Sequence, residues 1–428
     1  MPFPPPRTAA LACLLIALAA CDAERPPAAK DASVAATVAP TPAPALMASP
    51  WTLPAPDGAA QPDLVALDNG QVLLSWIEPR DGGGHALKFA RWEADAWSEP
   101  REIARGDDWF VNWADTPHLR ATPDGALWAH WLRKSAAAPY AYDVVLTRSA
   151  DAGATWSRPL EVNDDGTPTE HGFVAMWPAA NDRIGIAWLD GRNSAGGHGG
   201  GHEGHGGAMT LRSARFGADG GKRGEAEVDA MTCDCCQTDT AIGARGVLLA
   251  YRDRAEGEIR DIRVSRYDGK AWTSPVRVHA DQWFMPACPV NGPAIAARGN
   301  AAWVAWYTGA GAAPSVRLAR STDGGDSFGG MREVAVGEAQ QGRVDLAADA
   351  GGVWMSWVQE TAGRQSLWLA RFSPALDAEQ FRVKVADIAG RGRGTGFPRM
   401  QLRDGQAWLA WTEVVDGQPR LRGARVQP

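Results

Sequence analysis

The chain has 428 residues and a formal net charge of −7, from 43 basic against 50 acidic side chains. That balance excludes a protein held to nucleic acid by a broad basic surface. Its length exceeds an ordinary single domain but suits a closed repeat fold, and with six cysteines it is poor in thiols.

Residues 8–20, TAALACLLIALAA, form an apolar run too short to span a membrane comfortably. The run has the length of a signal-peptide core and ends at Leu18-Ala19-Ala20-Cys21, which resembles the lipobox of bacterial lipoproteins. The resemblance implies cleavage before Cys21, lipidation of Cys21, and a protein anchored to the inner or outer membrane and facing the periplasm. An ordinary cleaved secretory peptide is the alternative, and either reading exports the chain. Residues 21–49 are rich in Ala and Pro without apolar period, the composition of a tether. The expected organisation is therefore a signal peptide over 1–20, a tether over 21–49 and a globular part over 50–428.

The globular part repeats. Seven segments share a turn, a short alternating strand and a terminal aromatic: GQVLLSW (70–76), GALWAHW (125–131), DRIGIAW (182–188), RGVLLAY (245–251), NAAWVAW (300–306), GGVWMSW (351–357) and GQAWLAW (405–411). The terminal aromatics Trp76, Trp131, Trp188, Tyr251, Trp306, Trp357 and Trp411 recur at intervals of 51 to 63 residues. Each segment is followed by a second alternating strand and preceded by another short one. Period two throughout, with no helical period, makes these strands. Four short strands per unit, repeated radially, predict an all-β propeller. The repeat count gives seven blades, with six as the alternative. The last unit runs out after three strands, so residues 50–54, PWTLP, are expected to supply its fourth and close the ring.

Two turns are specific. SADAGATW (149–156) and STDGGDSF (321–328) fit Ser-x-Asp-x-Gly-x-Thr/Ser-Trp/Phe, which resembles the Asp-box of sialidase-like (BNR-repeat) propellers. The carboxylate of Asp151 or Asp323 can accept backbone amides of a tight turn, and the aromatic plugs the blade edge. In that family the boxes mark architecture and not chemistry. Sialidases use three arginines on a carboxylate, a Tyr–Glu nucleophile pair and an Asp acid/base. The family's Phe/Tyr-Arg-Ile-Pro motif is absent here, and GFPRM (396–400) has similar letters in another order.

Polar groups that break the repeat gather in segments expected near the propeller axis. They are His171, Asp190, Arg192, Arg252, Asp253, Asp261, Asn291, Arg343, Asp345 and Arg399. Several arginines around one axis suit a small anionic or carboxylate ligand. Inter-blade ion pairing is the competing explanation.

MTCDCCQTD (231–239) places Cys233, Cys235 and Cys236 within four residues, at the approach to the fourth blade. Cys288 holds the equivalent place before the fifth. An exported protein most simply pairs four such cysteines as two disulfides. Thiolates spaced in this way also make a soft site suited to copper or zinc. The loop GGHGGGHEGHGG (196–207) adds His198, His202 and His205, a metal-binding composition. Reactive-thiol chemistry is the third possibility. The expected function is thus an exported, lipid-anchored propeller that binds a small anionic ligand or a soft metal on its axial face. The alternatives are an exo-glycosidase of the sialidase class and a non-catalytic interaction platform, with membrane, small-molecule, glycan or metal partners.

Overall fold

The alternation of the sequence becomes seven antiparallel four-stranded meanders in a computed structural model that describes residues 47–67, 69–180, 182–194 and 208–428. Blade 1 comprises Ala60–Ala66, Val72–Pro79, His85–Glu93 and Arg101–Gly106, with a two-residue strand Ala96–Trp97 beside its third strand. Blades 2 to 6 begin with Leu119–Ala121, His171–Ala180, Asp239–Gly243, Ala294–Arg298 and Gln340–Ala348. Blade 7 holds Arg399–Arg403, Gln406–Val415 and Gln418–Gln427. The count is seven, not six. Among the described residues the one helical element is a short 3-10 turn, Gly392–Thr395.

The ring closes through the N-terminus as expected, with a shifted boundary. Met47–Trp51 pairs antiparallel with Gln418–Gln427, Met47 opposite Gln427 and Trp51 opposite Gly423. Among the described residues the pairing already includes Met47, three residues before the expected Pro50, and it stops at Trp51. The stop has a packing cause: the Trp51 ring is 4 % exposed and sits against Trp92, Trp97 and Trp408 at centroid distances of 5.7, 4.8 and 4.7 Å.

The seven terminal aromatics of the repeat are all buried and fill the space between neighbouring blades. Each blade's first strand packs against the first strands of its neighbours around the axis. Such a strand has one edge without a ladder partner, and its amides need acceptors. Carboxylates and an amide from the preceding blade supply them. Asp63 Oδ2 accepts the Leu119 N–H at 3.0 Å, Asp115 Oδ1 that of Phe173 at 2.8 Å, and Asp239 Oδ2 that of Ile295 at 2.8 Å. Asn291 Oδ1 accepts the Arg343 N–H at 2.9 Å, and Asp345 Oδ2 that of Met400 at 2.7 Å. Between blades 4 and 3 the roles differ: the Thr238 hydroxyl donates to the Phe173 carbonyl at 2.6 Å.

The two Asp-box turns are superposable in their bonding. Asp151 accepts the Thr155 N–H and hydroxyl at 2.9 and 2.6 Å, and Ser149 Oγ accepts the Gly153 N–H at 2.7 Å. Asp323, Ser327, Ser321 and Gly325 repeat the arrangement, with the Ser327 N–H at 3.0 Å and the Gly325 N–H at 2.9 Å.

Closure through Trp51 makes a prediction about stability. Trp51→Ala removes a buried ring from a cage of three tryptophans and is expected to cost about 3–5 kcal/mol in urea unfolding. A loss below about 1 kcal/mol would show that ring closure does not depend on this plug.

Candidate functional site

One axial cavity of about 270 Å³ collects side chains from five of the seven blades. Asn112, Trp113, Ala114, Tyr140 and Tyr142 come from blade 2 and its approach, Glu170 and Phe173 from blade 3, Asp234 and Cys235 from blade 4, Cys288 and Val290 from blade 5, and Arg393 from the approach to blade 7.

The cysteines meet at its wall. A turn at Asp234–Cys235 folds Cys233 back over Cys236, after the Cys233 N–H has bonded the Arg252 carbonyl at 3.1 Å. The Sγ atoms of Cys233, Cys235 and Cys236 lie within 4.8 Å of one another, those of Cys233 and Cys236 at 3.0 Å. The Cys235 thiol also contacts the Cys288 thiol. No disulfide links the described cysteines: Cys233 and Cys236 are buried, Cys235 is partly covered and Cys288 is exposed. Gly292 brings the two segments together, since a Cβ there would lie 2.0 Å from the Gln237 carbonyl oxygen. The Gly292 N–H bonds Gln237 Oε1 at 3.0 Å and locks the approach.

Burial raises the Cys233 thiol to about 12, and hydrogen bonding from Cys233, Cys236 and Cys288 raises that of Cys235. Cys236 goes the other way. Burial opposes its ionisation, but hydrogen bonds from Cys233 and Cys235, the Arg252 charge and the Asn291 amide hold it well below an ordinary thiol. Arg260 adds a second buried guanidinium facing Cys233 and Asp234. The cluster thus favours a single thiolate, at Cys236, with the thiols of Cys233 and Cys235 beside it.

A proton-holding group lies behind the same cavity. The Tyr142 hydroxyl donates to Glu170 Oε1 at 2.7 Å and lies 3.2 Å from Asp115 Oδ2. Desolvation raises Asp115 to about 7 and Glu170 to about 8, against the hydrogen bonds each accepts. One phenolic proton cannot satisfy two carboxylates, so a carboxyl proton remains in the group near neutral pH. Tyr142 is fully buried under Phe110, ring centroids 4.0 Å apart. Trp113 lies between Arg343 and Arg393, at 5.3 and 5.9 Å.

Of the residues expected from sequence, Cys235 and Cys288 line this cavity, with Cys233 and Cys236 directly behind. Arg252 and Arg343 do not converge on it, because their donors are taken within the fold. Arg252 is 1 % exposed and donates to the carbonyls of Asn291, Arg260 and Tyr307 at 2.9, 2.6 and 2.7 Å. Arg343, with a left-handed φ of 54°, donates to Thr395 Oγ1 and the Gly396 and Gly392 carbonyls at 2.7, 2.9 and 2.6 Å. Arg399 donates to Thr116 Oγ1 at 3.2 Å. Asn291 and Asp345 are inter-blade acceptors, Asp261 accepts the Trp283 N–H at 3.2 Å, and Asp253 pairs with Arg263. His171, Asp190 and Arg192 form a separate buried cluster with Asp165. Cys21, His198, His202 and His205 lie outside the described residues.

Sequence reasoning missed Asp115, Tyr142, Glu170, Asp165 and Trp113. One signal was present: Tyr140 and Tyr142 are tyrosines off the repeat framework, unlike Tyr251 and Tyr267.

No protein-family model and no curated protein matches the chain. Among solved structures it is similar to the endosialidase of phage phi92, at 10% identity over 89% of this chain and 69% of that one, TM-score 0.48. It is also similar to the NanB sialidase of Streptococcus pneumoniae (12% identity, 89% and 71% covered, TM-score 0.47). A third is an α-L-arabinanase of Penicillium chrysogenum (13% identity, 86% and 93% covered, TM-score 0.46). These neighbours are glycan-active enzymes with propeller folds. The chain is a seven-bladed β-propeller with two Asp-box turns; at these identities the likeness is one of fold alone.

The buried carboxyls set a pH dependence. The folded chain keeps their protons to higher pH than the unfolded chain, so stability falls as pH rises from about 4 towards 8. Glu170→Gln removes one such group and should flatten that fall, measured as urea midpoints at about pH 5 and about pH 8. Parallel profiles for variant and wild type would overturn the assignment of a raised Glu170.

Proposed function

We propose that the axial cavity binds one soft metal ion, Cu(I) or Zn(II), through Cys233, Cys235, Cys236 and Cys288. The observation that carries this is the convergence of four thiols from two blades on one wall, three of their sulfurs within 4.8 Å of one another. Two sulfurs each about 2.3 Å from a common tetrahedral ion lie about 3.8 Å apart, so small shifts would admit an ion. Arg252 and Arg260 offset the negative charge that thiolates bring. Export, expected from the lipobox, strengthens the reading: crowded thiols in an oxidising compartment persist only when something holds them. Bonding Cys235 to its neighbour Cys236 would be strained; Cys233–Cys236 with Cys235–Cys288 is the disulfide pairing that competes with metal.

Metal content and thiol count on mature protein made in the periplasm test this. The expected result is about one equivalent of metal after dialysis, with thiols shielded from alkylation until a chelator is added. Cys236→Ser should abolish retention, and Cys288→Ser should weaken it by more than about tenfold, since it removes the donor from the neighbouring blade. Metal-free protein with a mapped Cys288 cross-link overturns the proposal, as do four reactive thiols without metal.

A second reading, a glycoside hydrolase, is favoured by Tyr142, Glu170 and Asp115, the residue types of a sialidase's catalytic set gathered behind one cavity. It ranks second because Tyr142 is wholly covered and Arg252 and Arg343 are bonded elsewhere, which leaves Arg393 as the one arginine lining the cavity among the described residues. Turnover of a fluorogenic sialoside, lost in Tyr142→Phe, would promote it. Silence across sialosides and uronides removes it.

A further inference from the structure

We propose that Asp165, His171 and Asp190 form a second cation site, chemically distinct from the thiol cluster, for a divalent ion of the Mn(II), Co(II) or Zn(II) class. His171 opens the first strand of blade 3 and is completely buried. Its Nδ1 lies 3.1 Å from the Tyr142 carbonyl oxygen. A carbonyl can only accept, so Nδ1 carries a hydrogen, and Nε2 is left to present its lone pair. That is the tautomer a metal-bound imidazole adopts, fixed by the same kind of outer partner.

Nε2 faces carboxylates. It lies 3.1 Å from Asp165 Oδ2 and 3.7 Å from Asp190 Oδ1, and one donor atom from each of the three residues falls within 4.8 Å of the others. Both Nε2 and Asp165 Oδ2 are buried without a hydrogen-bond partner among the described residues. Two buried acceptors that face each other repel unless a positive charge stands between them. A proton on Nε2 would answer this only by pointing at Asp165, and the ring orientation makes no such hydrogen bond. A metal ion answers it without that alignment. Donors about 2.1 Å from a common ion lie about 3.0 Å apart in an octahedron and about 3.4 Å apart in a tetrahedron; the 3.1 Å separation falls between these values, and the 3.7 Å one lies a few tenths of an ångström beyond them. One imidazole with two carboxylates suits borderline divalent ions rather than Cu(I).

Arg192 is the present counter-charge. Its Nε and Nη2 donate to the two oxygens of Asp190 at 2.7 Å each, while Nη2 also lies 3.5 Å from Asp165 and 3.2 Å from Glu225. Glu225 gives the guanidinium an alternative partner when an ion arrives, so Arg192 competes with the metal rather than forbidding it. A cavity of about 200 Å³ lined by Asp143, Glu161 and Asp164 adjoins the cluster, and Asp143 Oδ1 is 3.6 Å from His171 Nδ1. Glu161 and Asp164 there are paired with Arg133 and Lys222, and Asp143 Oδ1 accepts from Asn163 Nδ2 at 2.9 Å.

The test is Co(II) binding to the full mature chain by equilibrium dialysis, with the absorption spectrum recorded. Cobalt in a thiolate site shows an intense sulfur charge-transfer band, and cobalt on nitrogen and oxygen does not. The expected result is one equivalent lacking that band, whether or not the thiolate site also fills. Asp165→Asn should weaken this equivalent by at least about tenfold while the thiolate band is unchanged. Arg192→Gln should tighten it several-fold by removing the competing charge. Asp165→Asn is nearly isosteric, and its unfolding midpoint shows whether the fold is kept. If neither wild type nor Arg192→Gln takes up cobalt without the band, or if folded Asp165→Asn binds as tightly as wild type, the site is a proton-stabilised ion cluster and the proposal fails.

Discussion

The open edge of each blade's first strand is the constraint on which the rest of the structure depends. A propeller turns seven such edges towards its axis, and none can be completed by another strand without filling the ring. The amides must then be met by side chains, because a buried N–H without an acceptor costs about 1–3 kcal/mol. Asp63, Asp115, Asp239, Asn291 and Asp345 each reach one blade forward to meet one. These bonds set the spacing of neighbouring blades and hold the strand ends from which the axial loops depart. The thiol cluster inherits this rigidity. Asn291, which receives the Arg343 amide through its side chain, also offers its carbonyl to Arg252 and its amide to Cys236.

The same constraint explains why so many charged residues near the axis are structural. A buried guanidinium with no carboxylate beside it has to find carbonyls, and Arg252 and Arg343 find three acceptors each. Desolvation lowers Arg343 to about 10, which is the cost of that position. Asp115 shows where scaffold and chemistry coincide. One of its oxygens receives the Phe173 amide, and the other faces the Tyr142 hydroxyl across the cavity wall. A staple required for ring geometry thereby brings a carboxyl to a tyrosine and a second carboxyl.

Blade architecture was legible because period two, a closing aromatic and a turn recur in every unit, and each copy supports the others. The closing strand was legible in kind but not in register, since Trp51 stops the pairing through three tryptophans that only the closed ring assembles. The cysteines were legible because three lie within four residues and the fourth occupies the matching place one blade on. Asp115, Tyr142 and Glu170 were not. About a blade's half-length separates each from the next, and only Tyr142 carries a local mark, as a tyrosine off the repeat framework. Glu170 stands beside His171, which was singled out, yet the two side chains serve different sites on either side of the Tyr142 backbone. In a ring fold, inter-blade proximity follows from closure, and closure is not written in any one repeat.

Thiols and carboxyls on the axial wall form one electrostatic unit. Desolvation is the largest cause of the raised Glu170, but Asp115, Asp234 and Cys233 each push it further in the same direction. Negative charge gathered on the sulfurs therefore tightens the hold of the neighbouring carboxyl on its proton. Arg252 makes a thiolate at Cys236 tolerable in a buried place, and Arg260 acts in the same sense on Cys233. A divalent or monovalent ion on the sulfurs would cancel part of their charge and so relax the grip on the Glu170 proton, which Tyr142 connects to Asp115. Under the proposed metal binding, occupancy of the sulfurs and protonation of the cavity wall would be linked by Coulomb's law at short range in a desolvated setting. A cluster of thiols alone would make a binding site. Set against a protonated carboxyl group, it would make one whose state the rest of the cavity registers.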